Sequence, residues 1–284
     1  MPSDVEKLLK LIEVERMDKY LFIGRSPKYP PRIFGGQVLA QALSAAIRTV
    51  DDHERRTHSM HAYFLRPGNP KKQIVYEVDP IRDGKSFTTR RVVAKQDGVA
   101  IFNTSISFHL PEESFDHQFE LPDVPGPEDL EDDFDYWTRM AEKYPDELEK
   151  PTARSMYRRP VRRREFKDPE LQEPVQSIWF KLVEPIGDES ILHQTALAYM
   201  SDHSLLSASL LPHPVGPRSS EVALASLDHA IWFHRDFRAD EWLLYHQDSP
   251  SAFGARGFSR GTFYTRDGRL VASAVQESLQ RKIR

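Results

Sequence analysis

The chain has 284 residues and a net charge of -4, with 39% hydrophobic, 29% charged and 11% aromatic residues. That balance describes a globular chain long enough for two ordinary domains; it excludes a disordered or fibrous protein and gives no basic surface for nucleic acid. Cysteine is absent, which excludes disulfides, a thiolate nucleophile and Cys-ligated zinc or iron–sulfur centres.

No apolar run approaches the ~20 residues that span a bilayer. The start, MPSDVEKLLKLIEVERM, carries charges throughout and lacks the apolar core of a secretory signal. The end, RKIR, is not an SKL-type peroxisomal address. The expectation is a cytoplasmic protein without membrane insertion and without a nucleic-acid partner.

Residues 5–17 place Val5, Leu8, Leu9, Leu11, Ile12 and Val14 among charges, which predicts a short amphipathic helix. Residues 20–23 read as an edge strand, and SPKYPPR then breaks regular structure. After Phe34-Gly35-Gly36-Gln37, the segment VLAQALSAAIRTV has almost no polar face, so it predicts a helix buried on most sides. The two glycines permit close backbone approach at its start.

From His58 to His109 the period becomes that of strands. SMHAYFLRPGN, KQIVYEVDPIRDG, SFTTRRVVAKQDG and VAIFNTSISFH are separated by Pro-Gly-Asn or Asp-Gly turns. The stretch 111–160 is acidic and proline-punctuated, and reads as a surface connector anchored by Phe115, Phe134 and Trp137, with a short helix over 142–149. SMYRRPVRRREF is basic and IWFKLVEP reads as a buried strand. Residues 191–211 are again apolar with helical period, and strands resume in VALASLDHAIWFH, EWLLYHQDS, ARGFSRGTFYTRDG and RLVASAVQESLQRKI.

The second half repeats the first. His61-Ala62 and Phe64 match His229-Ala230 and Phe233, Tyr76 matches Tyr245, Arg90 matches Arg260, and Asp97-Gly98 matches Asp267-Gly268, with offsets of 168 to 170. The predicted fold class is α+β: two tandem units, each an antiparallel sheet wrapped around one apolar helix, paired so that neither sheet keeps a long open edge. Their bounds are read as 1–110 and 161–284, with 111–160 as the connector.

Several ordered blocks, among them FGGQVLAQAL, HSMHAYFLRPGNPKKQIVYEV, RDGKSFTTRRVVA, LAYMSDHSLL, SLDHAIWFHR, ARGFSRGTFYTRDG and LVASAVQE, resemble the acyl-CoA thioesterase II (TesB-like) family. The resemblance covers nearly the whole chain and is weakest over 111–175. It implies a double hot-dog fold, an acyl-CoA substrate hydrolysed to free acid and coenzyme A, and no cofactor. It also implies a triad of Asp, a hydroxyl residue and Gln that orders the attacking water. By motif these are Asp202 in AYMSDHSLL, Ser226 in ASLDHAIWFH and Gln276 in ASAVQES. Many family members carry Thr where this chain has Ser226; the hydroxyl is kept. The first half has no Gln in the matching place of VAIFNTSISFH, so the chemistry is assigned to the second half.

Each residue also has a plainer reading. Asp202, at a break in an apolar stretch, reads equally as a helix N-cap. Ser226 and Gln276 inside apolar strands read as outward-facing polar residues. No Gly-x-Ser-x-Gly elbow surrounds Ser226. Gly35-Gly36-Gln37 serves either close packing or, through backbone N–H groups and the helix dipole, a carbonyl oxygen or phosphate. Gly36, Gln37 and His58 are therefore carried as substrate contacts. His193, His203 and His213 recur every ten residues, a spacing that scatters them around a helix, and no metal is assigned. The basic run 158–164 reads as a solvated strand face paired with the acidic connector, with coenzyme A phosphates as the alternative. A hydratase using Asp202 and His203, and a non-catalytic acyl-CoA binder, are the rival functions. Self-association into a homo-oligomer is expected from exposed sheet faces.

Overall fold

The computed structural model describes residues 2–27, 32–52, 54–167 and 169–283, so most of the SPKYPPR break and the last residue of RKIR lie outside the described residues. Ser3 opens α1 (Asp4–Ile12) with a reciprocal cap, its hydroxyl accepting from the Glu6 amide while the Glu6 carboxylate accepts from the Ser3 amide. Then come β1 (Glu15–Asp18), β2 (Leu21–Gly24), α2 (Gly35–Ile47), β3 (Arg56–Phe64), β4 (Ile74–Asp83), β5 (Phe87–Gln96) and β6 (Val99–His109). The connector holds α3 (Asp133–Lys143) and β7 (Met156–Pro160). The second half contains β8 (Val175–Leu182), α4 (Ser190–Ser201), α5 (Leu205–Ala208), β9 (Val222–Ser226), β10 (Asp228–Phe233), β11 (Leu243–Phe253), β12 (Arg256–Thr265) and β13 (Leu270–Lys282).

Among the described residues all thirteen strands belong to one sheet in the order β1-β2-β4-β5-β6-β3-β10-β13-β12-β11-β8-β7, with β9 also paired to β13. The halves therefore meet edge to edge at β3 and β10, and each order mirrors the other. Helices α2 and α4 lie against each other inside the curl, and ten of the thirteen residues of α2 are buried. Burial of Leu39, Leu43, Ala196, Leu197 and their strand partners makes one continuous core that drives the wrap. The double hot-dog architecture expected from the sequence is what the chain adopts. Among the described residues no helix is long and apolar enough to cross a membrane.

The register corrects the repeat in detail. Asp79 pairs with Arg91 across β4 and β5, and Asp248 with Arg260 across β11 and β12. With Tyr76 and Tyr245 these give a repeat offset of 169. The true counterpart of Arg260 is thus Arg91; Arg90 is buried, donating to Thr49 Oγ1 at 3.0 Å. Likewise, His229 is buried opposite Ala62, whereas His61 is exposed, so the residue of β3 that corresponds to His229 is Met60. A shift of one residue moves a side chain to the other face of a strand, and matched letters at an offset of 168 or 170 hide that.

Three further expectations change. β2 is not an edge strand, because the fully exposed β1 takes the edge. Phe115 is fully exposed and anchors nothing; Tyr136 and Met140 of α3 are the buried anchors, with Trp137 packed beside them. The helix expected over 142–149 is displaced: α3 begins at an Asp132 N-cap whose carboxylate accepts from the Phe134 amide at 3.0 Å and ends at Lys143, so residues 144–149 are not helical. The basic run does pair with the connector: Arg158 and Arg163 reach Asp133 at 2.9 and 2.6 Å. Arg164 is spent on backbone carbonyls, donating to Leu210 and Val215 at 3.1 Å each.

Packing inside the curl is tight enough to test. A Cβ added at Gly261 would fall 2.3 Å from Cε2 of Tyr245, whose ring stacks on Phe263 with centroids 3.7 Å apart. Gly261→Ala is expected to lower the unfolding free energy by about 1–3 kcal/mol. Gly216→Ala, with no atom within 4 Å of the new carbon, should stay within about 0.5 kcal/mol of the parent. Equal denaturation midpoints for the two variants would contradict the packing described.

Candidate active site

Helix α4 ends at Asp202, and Ser204 adopts a left-handed backbone with φ of 67° that turns the chain into α5. The single helix read over 191–211 is therefore two, and the break swings the Asp202 carboxylate toward the start of α2. Its Oδ2 accepts from the Gly36 amide at 2.8 Å. Phe34, the N-cap of α2, supplies no side-chain acceptor, so Asp202 caps a helix 166 residues away in sequence. Both glycines are needed for this approach. A Cβ at Gly35 would lie 2.6 Å from Asp202 Oδ2, and one at Gly36 would lie 2.4 Å from the Tyr199 carbonyl oxygen.

The other carboxylate oxygen, Oδ1, accepts from the Ser226 hydroxyl at 3.1 Å. Ser226 ends β9, because the strand read as continuous through VALASLDHAIWFH breaks at Leu227. Gln276 of β13 is buried on the same face as Ala272 and Ala274, not turned outward. Its Nε2 donates to Ser226 Oγ at 3.0 Å. Three side chains from α4, β9 and β13 thus converge at the N-terminus of α2.

Burial is the dominant electrostatic fact. It raises the Asp202 carboxyl to about 7, and the hydrogen bonds from Ser226 and Gly36 hold it from going further. Tyr245, whose hydroxyl donates to the Ser201 carbonyl at 3.0 Å, is pushed well above the usual phenol range by burial and by the Asp202 charge.

Sequence reasoning missed His229 as a member of this cluster. Its Nδ1 lies 2.8 Å from Gln276 Oε1 and its Nε2 lies 2.9 Å from Ser201 Oγ. Burial lowers its imidazole to about 4, opposed by the bond to Gln276. The signal was available: His229, Ile231 and Phe233 alternate on one face of β10, which places a histidine among core residues.

The other expected contacts are placed differently. The Gly36 amide is committed to Asp202, and the Gln37 amide to the Phe34 carbonyl at 3.1 Å. The Gln37 side chain is buried and donates to Arg25 O at 3.1 Å and Ser26 Oγ at 2.7 Å, tying α2 to the residues just after β2. His58 sits in the first half, edge-on to Phe87 with ring centroids 5.6 Å apart, and burial lowers its pKa. It shares no hydrogen bond or ring contact with Asp202, Ser226 or Gln276 among the described residues. His203 faces away from Asp202's partners, with its ring 4.4 Å from that of Phe34 and its Nδ1 3.4 Å from Arg158.

The double hot-dog core places the chain in the hot-dog class, and within it a carboxylate, a hydroxyl and a carboxamide meet at one helix start. Two family models match: "Acyl-CoA thioesterase N-terminal domain" over residues 25–109 and "Acyl-CoA thioesterase" over residues 146–279. The chain is 36% identical to "Acyl-CoA thioesterase 2" of Haemophilus influenzae, covering 99% of both chains. It is 38% identical to "Acyl-coenzyme A thioesterase 8" of Mus musculus, covering 99% of this chain and 91% of that one. Among solved structures, the acyl-CoA thioesterase II TesB2 of Mycobacterium marinum is 38% identical with a TM-score of 0.79, covering 96% of this chain and 98% of that one. The chain belongs to the acyl-CoA thioesterase II family and is a thioester hydrolase.

Asp202 gives a stability prediction with a definite sign. The ordinary carboxyl of the unfolded chain titrates near 3.8 and the folded one at about 7. The folded state therefore holds a proton that the unfolded state has lost, and the fold weakens as pH rises between the two values. Above pH 7 ionised Asp202 costs the fold on the order of 4 kcal/mol. Asp202→Asn, which can still accept from Gly36, should be more resistant to denaturant than the parent at pH 8, and the gap should narrow as pH falls to 5. Thermal or urea midpoints at the two pH values check this, and a gap that widens toward pH 5 would overturn the assignment.

Proposed function

We propose that this enzyme hydrolyses acyl-CoA thioesters to free fatty acid and coenzyme A, with Asp202, Ser226 and Gln276 directing a water molecule onto the thioester carbonyl. The observation that carries the reading is the Ser226 hydroxyl held between a carboxylate poised at about 7 and the Gln276 amide. A base with that pKa is half ionised near neutral pH, where general-base catalysis is most effective. Asp202 takes a proton from water as its oxygen bonds to the carbonyl carbon. The carbonyl oxygen becomes an oxyanion, the carbon–sulfur bond then breaks, and the proton goes to the departing thiolate.

Gln276 Nε2 carries two hydrogens, and Ser226 takes one. The second is the donor we assign to the oxyanion, aided by the positive end of the α2 dipole, since the Gly36 and Gln37 amides are committed elsewhere. Ser226 is not the nucleophile on this reading. Its hydroxyl orients the water that Asp202 deprotonates, no Gly-x-Ser-x-Gly elbow presents it for attack, and His229 bonds to Gln276 instead of to Ser226. Direction counts against the hydratase alternative, because Asp202 points to Gly36 and Ser226 while His203 packs on Phe34 and Arg158. Residues 161–284 supply the triad, 1–110 the helix start and cleft wall, and 111–160 the connector.

Release of free thiol from acyl-CoA tests the reading, and the protein contributes no thiol background because it has no cysteine. Asp202→Asn should lower kcat about 10²–10⁴-fold, Ser226→Ala should lower it markedly, and Ser226→Thr should keep most activity. The parent's kcat/KM should rise with pH to half its plateau near pH 7, as Asp202 ionises. Tight acyl-CoA binding without thiol release at any chain length would make the protein a binder. Loss of enoyl absorbance without thiol release would make it a hydratase.

A further inference from the structure

We infer that His229 is a positioning residue: it fixes which end of the Gln276 amide faces Ser226, and thereby which group receives the Ser226 proton. The inference rests on the triad reading above and concerns a residue to which that reading gives no task.

The direction of every bond follows from counting protons. Ionised Asp202 only accepts, so the Ser226 hydroxyl must donate to Oδ1 across 3.1 Å. Ser226 Oγ then has no second hydrogen and must accept from Gln276, which therefore presents its NH2 at 3.0 Å. That leaves Gln276 Oε1, an acceptor only, facing His229 Nδ1 at 2.8 Å, so Nδ1 must carry the ring hydrogen. A neutral imidazole has one hydrogen, and Nε2 is consequently an acceptor. Ser201 Oγ, 2.9 Å from Nε2 and 3.0 Å from the Ala198 carbonyl, has a single proton and gives it to the ring.

The alternative arrangement is self-consistent but wrong for a base. If the hydrogen sat on Nε2, it would donate to Ser201, whose own proton would turn to Ala198. Nδ1 would then accept from the Gln276 NH2, and Gln276 Oε1 would face Ser226. The Ser226 proton would be drawn to that oxygen and away from Asp202. The two states of the imidazole thus select two orientations of the amide. Complete burial of His229, with its pKa held near 4, removes the doubly protonated ring that would blur the choice.

The first half of the chain supplies a natural control. Met60 occupies the position of His229, and the β3–β6 ladder sets Ile106 opposite it, where the second half has Gln276. The histidine and the glutamine are present together in one half and absent together in the other, and the fold accommodates a methionine at this place.

The test combines kinetics with a direct reading of the ring. His229→Met should fold, leave KM for acyl-CoA unchanged and lower kcat about a hundredfold, the effect of a misplaced water. His229→Asn, whose side-chain NH2 reaches where Nδ1–H lies, should recover at least about tenfold of that loss. Nitrogen-15 NMR of the imidazoles in the parent at pH 8, with His229 assigned by its absence in the variants, should show the Nδ1–H tautomer. Full kcat in His229→Met, equal kcat in the Met and Asn variants, or an Nε2–H ring in the parent would each overturn the inference. If the parent releases no thiol, the hydrolytic reading fails on its own, and the tautomer still decides the orientation of Gln276. If thiol release depends on Asp202 but not on His229, this inference alone fails.

Discussion

A carboxylate removed from water and wedged between the end of one central helix and the start of the other organises this molecule. Asp202 terminates α4 and caps α2, so the two halves are joined through a charged contact as well as an apolar core. Such a contact opposes folding, and the hydrogen bonds from Gly36 and Ser226, one to each oxygen, reduce its cost without removing it. Several local features follow from that demand. Gly35 and Gly36 have room for no side chain, Phe34 leaves the helix start uncapped, Ser204 adopts a left-handed turn, and β9 breaks from β10 so that Ser226 can arrive.

The duplicated architecture contains a second place where the same could have happened. At the far end of the helix pair, Thr57 stands where Ser226 stands in the other half, each at the same irregularity of its strand. A cavity of about 430 Å³ opens there, lined by Thr57, Phe108, Ser190 and Gln194 among others. Its companions are Met60 and Ile106 in place of His229 and Gln276, and the buried Thr57 hydroxyl has no hydrogen-bond partner among the described residues. One half keeps the scaffold, with apolar residues where the other keeps a polar chain. That asymmetry stabilises the fold, since every buried polar group omitted is a desolvation cost avoided.

What could be read from sequence divides along a physical line. Period and burial were readable: the apolar α2, the alternating strands, the Asp-Gly turns and the repeat all express local rules acting over a few residues. The family resemblance singled out Asp202, Ser226 and Gln276, and the three side chains do meet. What escaped depends on distance or on parity. Nothing near Asp202 announces that its capping partner lies 166 residues away. Nothing in the matched histidines His61 and His229 announces that the pleat sends them to opposite faces. Phe115 looked like an anchor because it is aromatic, but only packing decides that, and α3 uses Tyr136 and Met140 instead. His229 had a visible signal in its alternation with Ile231 and Phe233, yet its meaning required knowing that Gln276 lies on the neighbouring strand.

On the proposed mechanism, the elevated pKa of Asp202 explains why so few groups suffice for thioester cleavage. An exposed aspartate is a weak base, and its conjugate acid gives protons away too readily to wait for a leaving group. A thiol comparable to a cysteine side chain titrates near 8.5, whereas the buried carboxyl titrates at about 7. Within that gap one residue can accept a proton from water and pass it downhill to the sulfur, so no separate acid is required. Moving Asp202 toward solvent would strengthen the fold and forfeit this match. On the proposed mechanism, then, the same burial that strains the helix junction sets the basicity, and the polar chain of Ser226, Gln276 and His229 keeps that basicity aimed at one point.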